Sequence, residues 1–217
     1  LAIQDQHTWE NAVFVSLDKP ISPRVTANIG LRVSSLSVLG PGEFYTFNSE
    51  GEVTSTTTYG QGAFVKTYVI PEPRLAASYL LNEFSSLKGS YARTTQNMHL
   101  LSNSTGGGFS SFTDRWISST NNIKPEIGDQ VSGGYFRKLK DGTYELSGEV
   151  YYKWMQNQID YRNGADVNVN RYVEGELLYG RGRAYGLELM LRKHTGRLTG
   201  WIGYTLSRTE RQIDGIN

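Results

Sequence analysis

The chain has no cysteine, which excludes disulfides and thiolate metal sites. It has no run approaching the roughly 18 apolar residues that a membrane-crossing helix needs. Neither sign of charge prevails: 22 Lys and Arg stand against 21 Asp and Glu, so no electrostatic argument points to a nucleic-acid partner. Proline is scarce at 6 residues, yet with 24 glycines it interrupts every window long enough for a helical period. A negative mean hydropathy reads at first as a soluble protein. That reading fails for a β-barrel, where only alternate strand residues touch lipid and long polar loops lower the mean further.

What the sequence does have is alternation at two scales. Short turns at 19–23, 82–86, 140–142 and 194–197 alternate with long polar stretches at 39–66, 99–125 and 160–180. Between them, apolar and polar residues alternate with the period of a strand. In 185–193, Tyr185, Leu187, Leu189 and Leu191 share one face, and Gly186, Glu188, Met190 and Arg192 the other. Leu198, Gly200, Ile202, Tyr204 and Leu206 repeat the pattern after Gly196. Leu146, Gly148, Val150, Tyr152 and Trp154 oppose Glu145, Ser147, Glu149, Tyr151 and Lys153, and Asp141-Gly142 supplies a hairpin turn to a partner strand at 130–139. Val13, Val15 and Leu17 precede a strand with Val25, Ala27, Ile29, Leu31 and Val33 on one face. Leu75, Ala77, Tyr79 and Leu81 face Leu87, Gly89 and Tyr91 across the 82–86 turn.

The pattern predicts an all-β fold of eight strands in four hairpins. Its arrangement is an antiparallel up-and-down meander forming a section of a transmembrane β-barrel. The strands run about 10 to 14 residues, against about 5–6 in soluble sheets and the about 9–11 of a tilted bilayer-crossing strand. Tight turns belong on the periplasmic rim and the long stretches outside. Aromatic content of 12%, with 14 Tyr and 4 Trp, fits interfacial girdles as well as soluble sandwiches.

The polar face makes Glu145, Glu149, Lys153, Glu188 and Arg192 candidate lumen-lining residues. Glu188 and Arg192 lie about 13 Å apart along a strand, so each needs neighbours across the sheet. Asp114, Arg115 and Trp116 are candidate binding residues of an external loop, because Arg and Trp anchor hot spots. The competing reading has Trp116 pinning the loop to the rim. Glu72-Pro73-Arg74 reads as strand-edge punctuation, since proline lacks a ladder N–H, or as a charge pair facing the interior. His7, His99 and His194 share no ligand spacing, and Gly106-Gly107-Gly108 lacks the Lys-Ser/Thr of a phosphate loop. No catalytic constellation, metal or cofactor is expected, and no enzyme.

Several stretches carry a resemblance in their order and spacing. They are Pro71-Glu72-Pro73-Arg74-Leu75-Ala76-Ala77-Ser78-Tyr79, then Lys88-Gly89-Ser90-Tyr91-Ala92-Arg93-Thr94-Thr95-Gln96-Asn97, then Asp114-Arg115-Trp116 with Asn122-Ile123-Lys124-Pro125-Glu126. Glu149-Val150-Tyr151-Tyr152-Lys153-Trp154, Tyr185-Gly186-Leu187-Glu188-Leu189 and the segment 200–208 agree. Together they resemble the barrel of TonB-dependent outer-membrane receptors, particularly of Bacteroidetes-type bacteria. The resemblance implies a larger barrel of about 22 strands closed by a plug. It implies an outer-membrane location in a Gram-negative bacterium and energy-coupled uptake of a scarce nutrient through the TonB complex. The cargo it allows is a siderophore, cobalamin, an oligosaccharide or a peptide. Residues 1–217 would be a wall section with neither plug nor TonB box, contacting outer-membrane lipid and no nucleic acid. The alternatives are a complete small eight-stranded barrel, structural or adhesive, and a soluble β-sandwich that binds carbohydrate.

Overall fold

The computed structural model describes residues 5–101, 115–165 and 170–215. Long strands come first: β1 (His7–Ser22) and β2 (Val25–Leu39). A hairpin of β3 (Gly42–Phe47) and β4 (Val53–Tyr59) follows, then β5 (Phe64–Asn82) and β6 (Ser85–Gln96). A second hairpin, β7 (Met98–Leu101) and β8 (Arg115–Ser118), precedes β9 (Glu126–Leu139) and β10 (Tyr144–Tyr161). A single 3-10 turn, Val173–Glu176, leads into β11 (Leu177–Lys193) and β12 (Gly200–Ile213). Eight strands form one antiparallel sheet in the order β1-β2-β5-β6-β9-β10-β11-β12. The hairpins β3–β4 and β7–β8 are small sheets of their own.

Register converts the two-residue period into rows across the sheet. Ile202, Leu191 and Leu146 stand side by side on β12, β11 and β10, as do Leu206, Leu187 and Val150. A row of Tyr185, Tyr152, Val131 and Tyr91 lies next along the strands. On β1, β2 and β5, Leu17, Ile29 and Leu75 continue the same apolar face. This face is open: Val13 is 73% exposed and Ile202 75%. An apolar face of this extent is not left to water. From Tyr144 to Trp154 the face measures about 33 Å along the strand, or about 25 Å across a bilayer at a tilt near 40°. That is the height of a barrel's lipid band.

The tight turns cluster at one end of the sheet. Lys140, Asp141 and Gly142 have φ of 50°, 53° and 87°, the left-handed backbone that Asp and Gly tolerate best. The β11–β12 connection is longer than its sequence suggests. Gly196 takes φ 113°, and the strand resumes only at Gly200. Leu198, expected within the strand, therefore lies in the turn and is 77% exposed.

A second correction concerns β5. Glu72, Pro73 and Arg74 were expected at a strand's edge, but together with Pro71 they lie in the middle of β5. The β2–β5 ladder runs unbroken past both prolines, pairing Val33 with Pro71 and Leu31 with Pro73. The β5–β6 ladder stops at Arg74 and Ala92. The prolines thus lie beyond the last β5–β6 ladder pair, where a strand tolerates their missing N–H groups.

The sheet is linear, and among the described residues β1 and β12 do not pair with each other. A closed eight-stranded barrel is therefore not formed. Nor does a second large sheet pack on the first, as a sandwich requires.

The row geometry sets an expectation for two adjacent residues. Leu189→Arg, on the apolar face, should cost about 2–4 kcal/mol of folding stability in a bilayer. Glu188→Arg, on the opposite face, should cost much less. Urea titration in lipid vesicles measures both, and equal costs would reverse the facing.

Candidate functional site

The three long connections fold together at the end of the sheet opposite the tight turns. Hairpin β7–β8 keeps the strand period: His99, Leu101 and Ile117 are buried, while Met98, Leu100 and Trp116 are exposed. Behind its buried face, Leu101, Ile117, Ile123, Ile159, Tyr161, Val173 and Leu177 make an apolar cluster, with Ala165 against it. Ile123 is completely buried. Most of these residues come from the loops and the outer ends of β10 and β11, so the external end has a small core of its own.

Polar contacts fasten hairpin β3–β4 to that core. Asn121 and Asn122 donate from Nδ2 to the Tyr45 carbonyl at 2.9 and 3.0 Å, and Asn122 also reaches Glu174 Oε2 at 2.5 Å. Arg162 donates to the carbonyls of Glu50 at 2.5 Å and Gly175 at 2.8 Å. The Tyr68 hydroxyl, from β5, donates to the Thr120 carbonyl at 2.8 Å and ties the cluster to the wall. The Tyr179 hydroxyl reaches the Asn122 carbonyl at 3.3 Å. Burial and the nearby Glu174 carboxylate push its phenol up to about 12.

Arg171 sits on the outside of this assembly. Its guanidinium bonds Glu43 Oε2 at 2.6 Å and touches the Tyr45 hydroxyl. It lies 5.3 Å from the centroid of Tyr45 and 5.5 Å from that of Tyr172, within cation–π range. The two rings meet edge to face at 5.0 Å. Hydrogen bonds from Tyr45 and from Arg171 hold the Glu43 carboxyl below the ordinary carboxylate range. The product is an exposed aromatic patch with a half-exposed cation at its centre.

A buried trio lies beneath. His99 Nε2 is 3.0 Å from Ser119 Oγ, and His99 Nδ1 is 3.4 Å from Glu126 Oε1. The carboxylate favours the tautomer with hydrogen on Nδ1, leaving Nε2 to accept from Ser119. The order matches a nucleophile–base–carboxylate array, which was not expected from the sequence. Its environment does not: Ser119 is 0% and His99 1% exposed, so no substrate reaches the hydroxyl. Glu126 also accepts from Gln158 Nε2 at 2.9 Å. The trio therefore acts as a clamp between hairpin β7–β8, the segment after it, and the wall strands β9 and β10. Burial raises the Glu126 pKa, but hydrogen bonds from His99 and Gln158 more than offset this and hold it low.

With the fold and this external cluster in view, the comparisons are specific. Residues 2–217 match the family described as TonB dependent receptor-like, β-barrel. The chain belongs to the TonB-dependent receptor β-barrel family. That family places it in the outer membrane of a Gram-negative bacterium. Its fold is similar to that of the FrpB iron transporter from Neisseria meningitidis (TM-score 0.64, 17% identity), covering 98% of this chain and 27% of that one. It is similar to the ferric-catecholate import receptor Fiu from E. coli K12 (TM-score 0.57, 19% identity), covering 96% and 28%. It is also similar to the alcaligin receptor FauA from Bordetella pertussis (TM-score 0.57, 14% identity), covering 98% and 32%. The chain thus spans about a quarter to a third of the length of these receptors. No curated protein matches it in sequence.

Within this TonB-dependent receptor wall, the residues singled out from sequence are brought together in part. Glu145, Glu149, Lys153, Glu188 and Arg192 all lie on the face opposite the apolar one. Glu145 and Arg192 are cross-strand partners, and Glu145 Oε2 also meets His194 Nε2 at 2.9 Å. Glu149 and Glu188 stand directly opposite each other, two like charges that only the register reveals. Glu72 is buried, accepting from Ser34 Oγ at 2.6 Å and Thr95 Oγ1 at 3.0 Å, with Arg32 at 3.7 Å. Trp116 is 62% exposed on β8, and Arg115 pairs with Leu101 in that hairpin. Asp114 and Gly106-Gly107-Gly108 lie outside the described residues. Arg171, Tyr45 and Tyr172 were not singled out, because their partners lie more than a hundred residues away in sequence.

Two outcomes follow for the external core. Ile123→Ala should cost about 2–5 kcal/mol of local stability, the usual range for emptying a buried aliphatic site. Amide exchange at 98–101 and 115–123 should rise while that of β10 and β11 stays slow. The clamp also has a pH sign. Glu126 has a lowered folded pKa, so its contribution is present above the ordinary 4.5 and is lost as pH falls through the lowered value. Exchange at these amides, corrected for intrinsic rates, should be flat from pH 7 to about 5 and rise below about 4.

Proposed function

We propose that this chain is a wall section of an energy-coupled importer that captures a scarce nutrient outside the cell. The supporting observation is the separation of roles along and across one sheet. One face is apolar over most of the height of a lipid band, the other carries Glu145, Glu149, Lys153, Glu188 and Arg192, and folded loops crown a single end. In this reading Glu145, Glu149, Lys153, Glu188 and Arg192 line the lumen. Small residues on that face support the assignment. Ala76, Ser90, Ser132 and Gly134 leave a groove of about 310 Å³ beside Lys88 and Glu149 that a plug can fill. Plug, TonB contact and the remaining strands belong to the larger receptor, and its Bacteroidetes-type origin rests on the order of the sequence motifs.

Among siderophore, cobalamin, oligosaccharide and peptide cargo, we read the external patch as favouring a ferric siderophore. Arg171, ion-paired with Glu43, supplies a guanidinium held between rings, and Tyr45 and Tyr172 supply stacking faces. Trp116 adds an exposed ring on the neighbouring hairpin. The named similar structures include an iron transporter and receptors for a ferric catecholate and for alcaligin, which agrees with this choice. The mechanism would be capture on this patch, followed by release into the lumen when TonB rearranges the plug.

The test uses the full-length receptor in detergent with a panel of ferric siderophores, cobalamin, oligosaccharides and peptides. A ferric siderophore should bind, and Arg171→Ala should weaken it roughly tenfold, as losing a charge-assisted contact with its cation–π support does. Uptake by cells should require the proton-motive force and TonB. Binding of a neutral oligosaccharide instead, unaffected by Arg171→Ala, would overturn the cargo assignment.

A further inference from the structure

We propose that Asn163-Gly164, in the connection between β10 and β11, is a self-modifying site whose deamidation releases hairpin β3–β4 from the external core. It is the chain's single Asn-Gly pair. Both residues are exposed, at the tip of a turn closed by the Ala165 N–H donating to the Arg162 carbonyl at 3.1 Å. Gly164 takes φ 78°, and the space where a Cβ would stand is empty. Among the described residues, neither the Asn163 carboxamide nor the Gly164 N–H makes a hydrogen bond. The Gly164 nitrogen can therefore meet the Asn163 carboxamide without giving up a bond or passing a side chain.

The reaction needs only water. The deprotonated Gly164 nitrogen attacks Asn163 Cγ, the Cγ–Nδ2 bond breaks, and ammonia leaves with the proton, closing a succinimide ring. Water then opens the ring. Addition at Cγ gives aspartate, and addition at the backbone carbonyl gives isoaspartate, in which the main chain runs through Cβ and Cγ. Either way, one neutral amide and one water become one carboxylate and one ammonium ion. Asn48 shows the opposite arrangement. It precedes the small residue Ser49 in the tip of hairpin β3–β4, but its carboxamide is occupied. Its Oδ1 accepts from the Glu50 and Glu52 N–H groups at 3.1 and 2.8 Å, and its Nδ2 donates to Glu52 Oε2 at 3.0 Å. It cannot swing onto the Ser49 nitrogen without breaking those bonds.

The product arises where the external unit is fastened. Arg162, the preceding residue, holds the Glu50 and Gly175 carbonyls, and so joins the hairpin tip to the 3-10 turn. Its buried Nε makes no hydrogen bond, with Glu176 Oε2 3.5 Å away. A carboxylate at 163 competes for this guanidinium. Isoaspartate also adds a backbone carbon to a turn that is fixed on both sides. Ala165 packs against the apolar cluster, and the Arg162 N–H donates to the Glu176 carbonyl at 2.9 Å. The joint tolerates little displacement. Gly51 and Gly175 pass so closely that a Cβ on Gly51 would lie 2.3 Å from the Gly175 carbonyl oxygen, and one on Gly175 2.5 Å from that of Gly51. Loss of the Arg162 links therefore frees the hairpin, which carries Glu43 and Tyr45 of the exposed patch.

The experiment incubates the full-length receptor in detergent at mildly acidic and mildly alkaline pH. Peptides are then mapped by mass spectrometry, with fragmentation that separates aspartate from isoaspartate. Asn163 should convert, several-fold faster at the alkaline pH because the attacking nitrogen must lose its proton, while Asn48 keeps its amide. Amide exchange over 42–59, measured at one pH, should be several-fold faster in converted than in fresh receptor, with exchange over 144–154 unchanged. Asn163→Gln, whose longer side chain disfavours ring closure, should keep both its amide and its slow exchange through the same incubation. An Asn163 that stays intact in the receptor while the same segment converts as a digested peptide would overturn the proposal. So would an Asn48 that converts as fast, or unchanged exchange over 42–59 in converted receptor.

Discussion

Everything in this molecule depends on an unbroken two-residue period held in register across eight strands. A slip of one residue between any pair of neighbours would carry a row of leucines into the polar face and bring glutamates to the lipid. The register shifts of the large sheet lie at strand ends or, at Gln156–Gln158, in the outer third of β10. They fall at Pro20–Ser22, Val38–Leu39, Leu80–Asn82 and Gln156–Gln158. Between those points the ladders are continuous, which is also what hydrocarbon demands, since a backbone N–H there finds no water. One constraint therefore fixes both the facing of the side chains and the satisfaction of the backbone.

Strand length then divides the molecule in two. Strands of up to 19 residues are longer than the lipid band needs, so their outer ends stand clear of it. There the covering solvent changes from lipid to water, and the connections must bury their own apolar groups. They do so around Ile123, Ile159 and Leu177, with a polar trio at His99, Ser119 and Glu126 that joins hairpin to wall. The proposed capture patch is thus carried on a small, separately packed unit seated on a membrane-supported scaffold. Rigid support below and a folded platform above are what place Arg171 against two rings rather than on a free tether.

The wall was legible because its rules are local. Alternation in 185–193, the Asp141-Gly142 turn and the lengths of the strands each reflect a chain segment and its immediate neighbour. The prolines of β5 were misplaced for a related reason. Proline's cost depends on which of two flanking ladders its nitrogen faces, and that needs the position at which β6 departs. The loops were harder still. Glu43 and Arg171, or His99 and Ser119, meet only after distant connections fold onto each other, and neither composition nor period encodes that approach. Even the facing of Glu149 and Glu188, each on the polar face, required the β10–β11 register before it became a pair.

Balanced composition conceals this ordering. The near equality of acidic and basic residues suggests a surface without electrostatic character. Laid out in rows, the charges are sorted by face and by height. Glu145, Glu149, Glu188 and Arg192 occupy the polar face, and Asp129 cancels Arg93 at the girdle. Net charge follows from counting residues, but a partner meets a local field set by strand register. For a sheet that divides lipid from lumen, the useful unit of sequence analysis is the row across strands, because each row meets one environment at one depth.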